Sequence, residues 1–335
     1  MRLTLLFSTI LLSGCTDLFN PEQALLEKYH QRLANVMDLS ITEIEPLSAI
    51  TIPPRRELFL SLPRLTLGLL ESYQLRQCGL FNLLANKNSL LGKVQDAFHD
   101  LDYQTSLLRT LNSCLNDFPI SEDERDTLAL LYGQKWSHLH TRLDNLLLAS
   151  ETMQKQLTAS DWLSVDNKNQ IALVSDAFNA LNDMYETPQK TISRLPDIRM
   201  VQYQEVLEKS RLVGRLYYSL VNASHWLHEI TQLLDTNQSK IICGKNRDIT
   251  TFRYLNNVFQ SIYVKEVQPY LAYLDSTYQR LNSGVMLVEK RMDLHGESYG
   301  LIDAHNMFRK RTLEHIQFWQ GLFKRCGVTV GTVDK

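Results

Sequence analysis

From Leu128 to Leu157 apolar side chains recur at helical intervals: Leu128, Leu131, Leu139, Leu143, Leu146, Met153 and Leu157. That spacing draws one stripe along an α-helix, whereas a strand would alternate every second residue. Lys135 is a polar exception within the stripe. Just upstream, Ser121-Glu122-Asp123-Glu124 has the spacing of a capping box, which opens a long helix. Strand alternation is nowhere sustained. Thirteen Gly and nine Pro in 335 residues are also sparse for a turn-rich β fold. The expected fold class is therefore all-α, with long antiparallel helices packed as an elongated bundle or as two helical subdomains.

Other signals place the remaining helices. Asn20-Pro21-Glu22-Gln23 is a helix start, with Asn at the N-cap and Pro at the first helical position. Leu25, Tyr29, Leu33 and Val36 mark the face that follows. Residues 40–56, broken by Pro46, Pro53 and Pro54, read as an extended loop. Helical character returns from Pro63 through Leu65, Leu69, Leu70, Tyr73 and Leu80, then Leu90, Val94, Leu107, Leu108 and Leu111, and stops at Pro119. The polar stretch 158–169 is the best subdomain boundary, giving a helical body over 20–335 with subdomains 20–158 and 170–326. A shorter helix is expected at about 169–187, then a long one striped by Val206, Val213, Leu220 and Ile230. Asp248 caps another helix carrying Phe252, Leu255, Phe259 and Ile262, which Pro269 kinks or restarts. The last helix bears Ile316, Trp319, Phe323 and Cys326 and ends at Gly327.

The N-terminus carries an address. Arg2 precedes a short apolar run, Leu3 to Leu12, too short to span a bilayer. Leu12-Ser13-Gly14-Cys15 then matches the bacterial lipobox. Residues 1–14 are expected to be a secretory signal, Cys15 the lipid-bearing residue, and 15–19 a tether. Several acyl chains, each buried methylene contributing about 0.8 kcal/mol, would anchor the protein to a membrane rather than thread it through. Thr16, where inner-membrane retention commonly uses Asp, points to the outer membrane facing the periplasm of a Gram-negative cell, although Asp17 follows one place later.

With Cys15 committed to lipid, Cys78, Cys114, Cys243 and Cys326 remain, an even set suited to an oxidising compartment. Pairing within each half of the chain favours Cys78–Cys114 and Cys243–Cys326; four inert buried thiols are the rival reading. If the first pair forms between straight antiparallel helices, the two cysteines should be equidistant from the reversal, which falls near residue 96. A turn near residue 88 would leave them about 24 Å out of step. The first helix should then continue through Asn88 and Gly92, and the chain should reverse between Gln95 and Asp102.

Several stretches resemble a family of uncharacterised helical lipoproteins from gammaproteobacteria: Tyr29 with Arg32-Leu33-Ala34-Asn35-Val36, Cys78-Gly79-Leu80, Asn88-Ser89-Leu90-Leu91-Gly92, and Cys114. The resemblance implies a location and a shared pattern, with no catalytic residues to carry over.

Local motifs for chemistry are weak. Gly296-Glu297-Ser298-Tyr299-Gly300 has the form of a nucleophile elbow, but Val288 to Asp293 before it are charged and helical, where an elbow needs a buried strand. Glu27 and His30 have the i, i+3 spacing of di-iron bundles without a second such pair. His225, His228 and Glu229 share one helix and would need a further ligand from elsewhere to hold a metal. His138 and His140 diverge. Arg309, Lys310, Arg311, Lys324 and Arg325 make the last helix basic, which reads as a solvated face with favourable charge at its C-terminus. Trp136, Trp226 and Trp319 read as packing.

No catalytic residue, metal or cofactor is expected. A net charge of −2 argues against nucleic acid as a partner. The expected function is a membrane-tethered, non-enzymatic binding or scaffold protein with an envelope protein as partner. The alternatives are a tethered hydrolase-like enzyme and a helical sensor of a small ligand.

Overall fold

The structure, a computed structural model, describes residues 20–41, 43–63, 73, 75–89, 95–244 and 246–328. The signal 1–14, the lipobox residues Leu12, Ser13, Gly14 and Cys15, and the 15–19 tether lie outside the described residues, as do Leu65, Leu69, Leu70, Leu90 and Val94. The fold is all-α. Among the described residues there is no strand, only one antiparallel bridge between Ile50 and Ala159. No described helix is long and apolar enough to cross a membrane.

The described helices are α1 (Pro21–Val36), α2 (Arg55–Leu58), α3 (Leu80–Asn88), α4 (Ala97–Asn116), α5 (Glu122–Ala149), α6 (Glu151–Leu157), α7 (Lys168–Glu186), α8 (Val201–Ser210), α9 (Leu212–Thr236), α10 (Thr250–Val258), α11 (Gln268–Leu294) and α12 (Leu301–Arg325). A π-helical segment, Phe259–Val267, runs from α10 into α11. Pro269 therefore does not restart a helix, which runs unbroken through it: the widened turn before it leaves room for a residue that has no N–H to give.

Two compact units form, and both are discontinuous in sequence. Of the described residues, the smaller comprises those up to 45, those of 226–271 and those from 314 on; the larger comprises those of 46–225 and 272–313. The stretch 158–169, expected as a boundary, lies inside the larger unit. Its apolar members explain why: Trp162 and Leu163 are buried, Ala159 is bridged to Ile50, and Leu163 N–H donates to Ser219 Oγ at 2.8 Å.

In the smaller unit α1 packs on α10 and on the π segment. Its buried positions are Leu26, Tyr29, His30, Leu33, Ala34 and Met37, so the core face is turned about one residue from the Leu25–Val36 stripe. Cys243 and Cys326 are bonded, with Cα atoms 5.0 Å apart.

In the larger unit α4 packs along α5, which opens with the complete Ser121–Glu124 capping box. The expected continuous helix to Leu157 breaks at Ser150, whose hydroxyl caps α6 by accepting from Met153 N–H. The expected helix through Val206 and Val213 also breaks, at Arg211, which has φ 47°. Buried Gln156 holds that break: its Oε1 accepts from Ser210 Oγ at 3.2 Å and from Leu212 N–H at 3.0 Å.

Cys78 and Cys114 are bonded, with Cα atoms 5.2 Å apart. The reversal between them comes earlier than equidistance requires. α3 ends at Asn88, Ser89 is extended, and α4 begins at Ala97. Equidistance presumes a straight helix from Cys78, but Cys78 closes a 3-10 turn and Gly79, at φ 82°, turns the chain before α3 starts.

Candidate functional site

The residues singled out by sequence motifs do not converge. Ser298 is exposed in the loop between α11 and α12, and the residues before it are helical rather than strand. Its motif neighbours instead build a helix entry. Tyr299 is buried and donates to the Leu157 carbonyl at 2.7 Å. Glu289 accepts N–H bonds from Gly300 at 3.1 Å and Ile302 at 3.2 Å. Gly300 has φ 83°, and a Cβ there would stand 2.7 Å from the Tyr217 hydroxyl, so only glycine fits.

Glu27 accepts from Gln23, while His30 is buried with its ring edge-on to Trp226, 6.1 Å between centroids. His228 lies within hydrogen-bond distance of Gln232. His225 belongs to the larger unit; His228 and Glu229 belong to the smaller. Among the described residues no three His, Cys, Asp or Glu side chains are grouped to hold a metal ion. Trp136, Trp226 and Trp319 are buried.

Three polar centres lie elsewhere. In the smaller unit, fully buried His315 has Tyr29 Oη 3.0 Å from Nε2 and Thr231 Oγ1 2.9 Å from Nδ1. Thr231 spends its own proton on the Leu227 carbonyl at 2.6 Å, so it accepts from His315 Nδ1–H. Nε2 is then the acceptor for the Tyr29 hydroxyl, and Tyr29 in turn accepts from Trp319 Nε1–H at 3.1 Å. Every proton in this chain has a place to go. Burial holds His315 neutral, pushing its pKa down to about 3. Burial also raises Tyr29 well above the usual phenol range, with Tyr263 adding to the effect.

In the larger unit, buried Asp144 accepts from Arg291 Nε at 2.6 Å and from the Tyr185 hydroxyl at 2.8 Å. The Arg291 guanidinium also lies 4.8 Å from the centre of the Tyr185 ring. The carboxylate thus meets the Arg291 cation and the Tyr185 phenol, with His295 Nε2 3.7 Å away.

The third centre, also in the larger unit, is not balanced. Asp100 on α4 pairs with Arg142 on α5 and with Lys87 on α3, the latter at 2.8 Å. Burial raises the Asp100 carboxyl, yet Arg142 and Lys87 together hold it below its ordinary value. Lys135, nearly two turns before Arg142, makes no hydrogen bond or ion pair among the described residues. Its partial burial, reinforced by Arg142, brings its pKa down to about 8. Arg142 Nε is buried without an acceptor among the described residues, and burial, with Arg142 and Lys135 nearby, pushes the His138 imidazole toward its neutral form. Positions 135, 138 and 142 share one face of α5 by helical spacing.

This centre borders a cavity of about 390 Å³ whose lining includes Lys87, His99, Tyr103, Ser106, Arg109 and Arg199. Lys87 reaches Gln95 at 2.8 Å and lies 4.9 Å from the Tyr103 ring centre. Burial, with Asp100 nearby, lifts the Tyr103 phenol to about 12. Arg109 is fixed by the Leu195 and Pro196 carbonyls at 2.9 and 2.8 Å. Asp102 caps α8 through Met200 and Val201 N–H at 2.6 and 3.2 Å; burial outweighs those bonds and raises its carboxyl. The cavity walls are thus built from α3, α4 and the segment entering α8.

None of the cavity residues was marked by a sequence motif. The one available signal was Lys135 interrupting an apolar stripe.

A family model described as a protein of unknown function (DUF3080) matches residues 26–330. No curated protein and no solved structure matches the chain.

Proposed function

The chain belongs to the DUF3080 family, and from that premise we propose that it is a lipid-anchored protein of the Gram-negative cell envelope, with a binding or scaffold role rather than a catalytic one. The observation that carries the reading is Leu12-Ser13-Gly14-Cys15 directly behind a ten-residue apolar run. Cys15 takes the lipid, residues 1–14 are removed, and the body faces the periplasm from the outer membrane, with a protein of the envelope as partner. Two disulfides, which use all four remaining cysteines, support an oxidising compartment.

Ser298 follows a helix, and the residues around it are committed to starting α12.

Labelling with a fatty-acid analogue tests the reading. Wild-type protein should take up label and sediment with outer membranes, and Cys15→Ser should lose both properties. Membrane association without any label on the wild type would overturn the anchor. Ser298→Ala should leave the phenotype of the wild type intact; its loss in a folded variant would revive the hydrolase alternative.

A further inference from the structure

The larger unit holds a cavity with an unanswered positive charge beside it. Lys87, Lys135 and Arg142 gather around one carboxylate, Asp100. The neighbouring Asp144–Arg291 pair shows how this unit treats a charge that needs no visitor: one cation, one anion, a phenol donor, and burial. At Asp100 the count differs. Two cations bond the carboxylate and a third, Lys135, is left partly buried, within the field of Asp100 but with no hydrogen-bond acceptor among the described residues. Arg142 Nε adds a buried N–H with no acceptor among the described residues. An unpaired cation in a low-dielectric setting is costly, and an anion nearby relieves that cost.

Space for such an anion adjoins the surplus. Lys87 belongs both to the cluster and to the cavity lining, and Tyr103 connects them in the same way. Arg199 is an exposed cation on the lining beside Asp102, Arg109 on the same walls is paired with exposed Asp197 at 3.5 Å, and the surplus cation is therefore Lys135 behind Lys87. A volume of about 390 Å³ suits a small molecule rather than a polymer. Arg109 and Asp102 are already fixed by backbone groups, so the cavity is preorganised.

We propose that this cavity binds a small ligand carrying an oxyanion group, phosphate or carboxylate, with Lys87 as its direct contact and the charge of Lys135 and Arg142 stabilising it from behind. The site does not depend on the lipid anchor. It would persist in an unanchored protein, and a proven anchor would not establish it.

Titration calorimetry on the purified protein tests this with two probes, inorganic phosphate and succinate, at constant ionic strength set by chloride. Saturable binding of at least one probe is expected, and the preferred probe distinguishes a phosphate ligand from a carboxylate one. Lys87→Gln should weaken binding about tenfold or more, as loss of a charge-assisted contact does. Lys135→Gln should weaken it about three- to tenfold through the lost field. Lys209→Gln, an exposed control, should bind as wild type.

Circular dichroism establishes that each variant is folded. Lys87→Gln breaks an ion pair with Asp100; if it does not fold, Lys135→Gln decides alone, since it removes no existing partner. Heat with no saturation for both probes, or a folded Lys135→Gln with wild-type affinity, would overturn the proposal.

Discussion

The polar centre around His315 in the smaller unit and the one around Asp100 in the larger unit solve the same problem differently. Both bring polar side chains from helices far apart in sequence into a sheltered place. Around His315 the members are neutral and the hydrogen bonds run in one direction, from Trp319 through Tyr29 and His315 to Thr231 and the Leu227 carbonyl. Around Asp100 the members are charged and the cations outnumber the anion. The first arrangement is finished by the chain itself and serves stability. The second is finished only by something the chain does not contain, which is why it is the better place to look for binding.

Removing the hub of the finished centre should have the largest effect. His315→Leu leaves the Tyr29 hydroxyl without its acceptor and Thr231 without its donor, all in a buried setting. A loss of about 3–5 kcal/mol is expected in urea denaturation, from two broken bonds and imperfect packing. The wild type should also respond to acid through this residue. The folded pKa of His315, about 3, lies below the ordinary 6.5. Its contribution is therefore fully present above pH 6.5 and is lost as pH falls toward 3, at up to about 1.4 kcal/mol per pH unit. His315→Leu should lack that component. An identical acid slope in both proteins would show that His315 is not the neutral hub described here.

Each unit carries one disulfide, which makes a second comparison. Replacing both cysteines of either pair by Ser should cost about 2–4 kcal/mol. Loop closure favours the larger loss for Cys243–Cys326, separated by 83 residues, over Cys78–Cys114, separated by 36. The expected difference is only about 0.7 kcal/mol. The sharper contrast is functional. Cys78–Cys114 ties the start of α3 to α4, and both helices wall the cavity. Its removal should weaken phosphate or succinate binding, whereas removal of Cys243–Cys326 should not. Calorimetry on the two double-Ser variants distinguishes them.

A gentler change to the finished centre comes next. Tyr29→Phe keeps the ring beside Tyr263 and His315 but deletes the hydroxyl linking Trp319 to His315. Trp319 Nε1 is itself 3.1 Å from His315 Nε2, so a direct bond can replace the relay. The loss should therefore be about 1–2 kcal/mol, smaller than for His315→Leu. A loss as large as the latter would mean that the direct contact gives no rescue.

What the sequence disclosed divides along the same line. Helix starts written in adjacent residues were legible: Asn20-Pro21 opens α1, and Ser121 with Glu124 opens α5. The all-α class and the within-half cysteine pairing were legible too, from spacing alone. Breaks imposed from a distance were not. Arg211 turns left-handed because Gln156, more than fifty residues earlier, claims the N–H of Leu212. The early reversal before α4 escaped notice because Gly79 uncouples Cys78 from the helix that follows it. His315 was invisible among the apolar positions of α12 because its partners come from α1 and α9. Lys135 was visible only as an anomaly. Its meaning needed Lys87 and Asp100, which two other helices deliver.

The smallest predicted effect is the one that most directly tests whether the Asp100 centre is unfinished. Lys135 sits partly buried beside Arg142 with its pKa at about 8, below the ordinary 10.5. A folded pKa below the unfolded one means that the unfolded chain holds this proton more tightly. Below pH 8 the charged ammonium therefore opposes folding, and the penalty fades as pH rises through 8 toward 10.5. Lys135→Gln removes the charge at every pH. The variant should be more stable than wild type at pH 7 by about 1 kcal/mol, a figure reduced from the full linkage value because the side chain remains partly exposed to water. The gap should narrow steadily between pH 8 and pH 10. Saturating the preferred oxyanion at pH 7 should also narrow it, because the ligand binds the folded wild type about three- to tenfold more tightly than the variant and stabilises it by that much more. The finished centre offers no parallel, since no substitution at His315 should raise stability at pH 7. Urea melts of the two proteins at pH 7, 8.5 and 10, with and without phosphate or succinate, measure all of this. A Lys135→Gln variant less stable than wild type at pH 7 would mean that Lys135 is satisfied within the protein, and the contrast between the two centres would collapse.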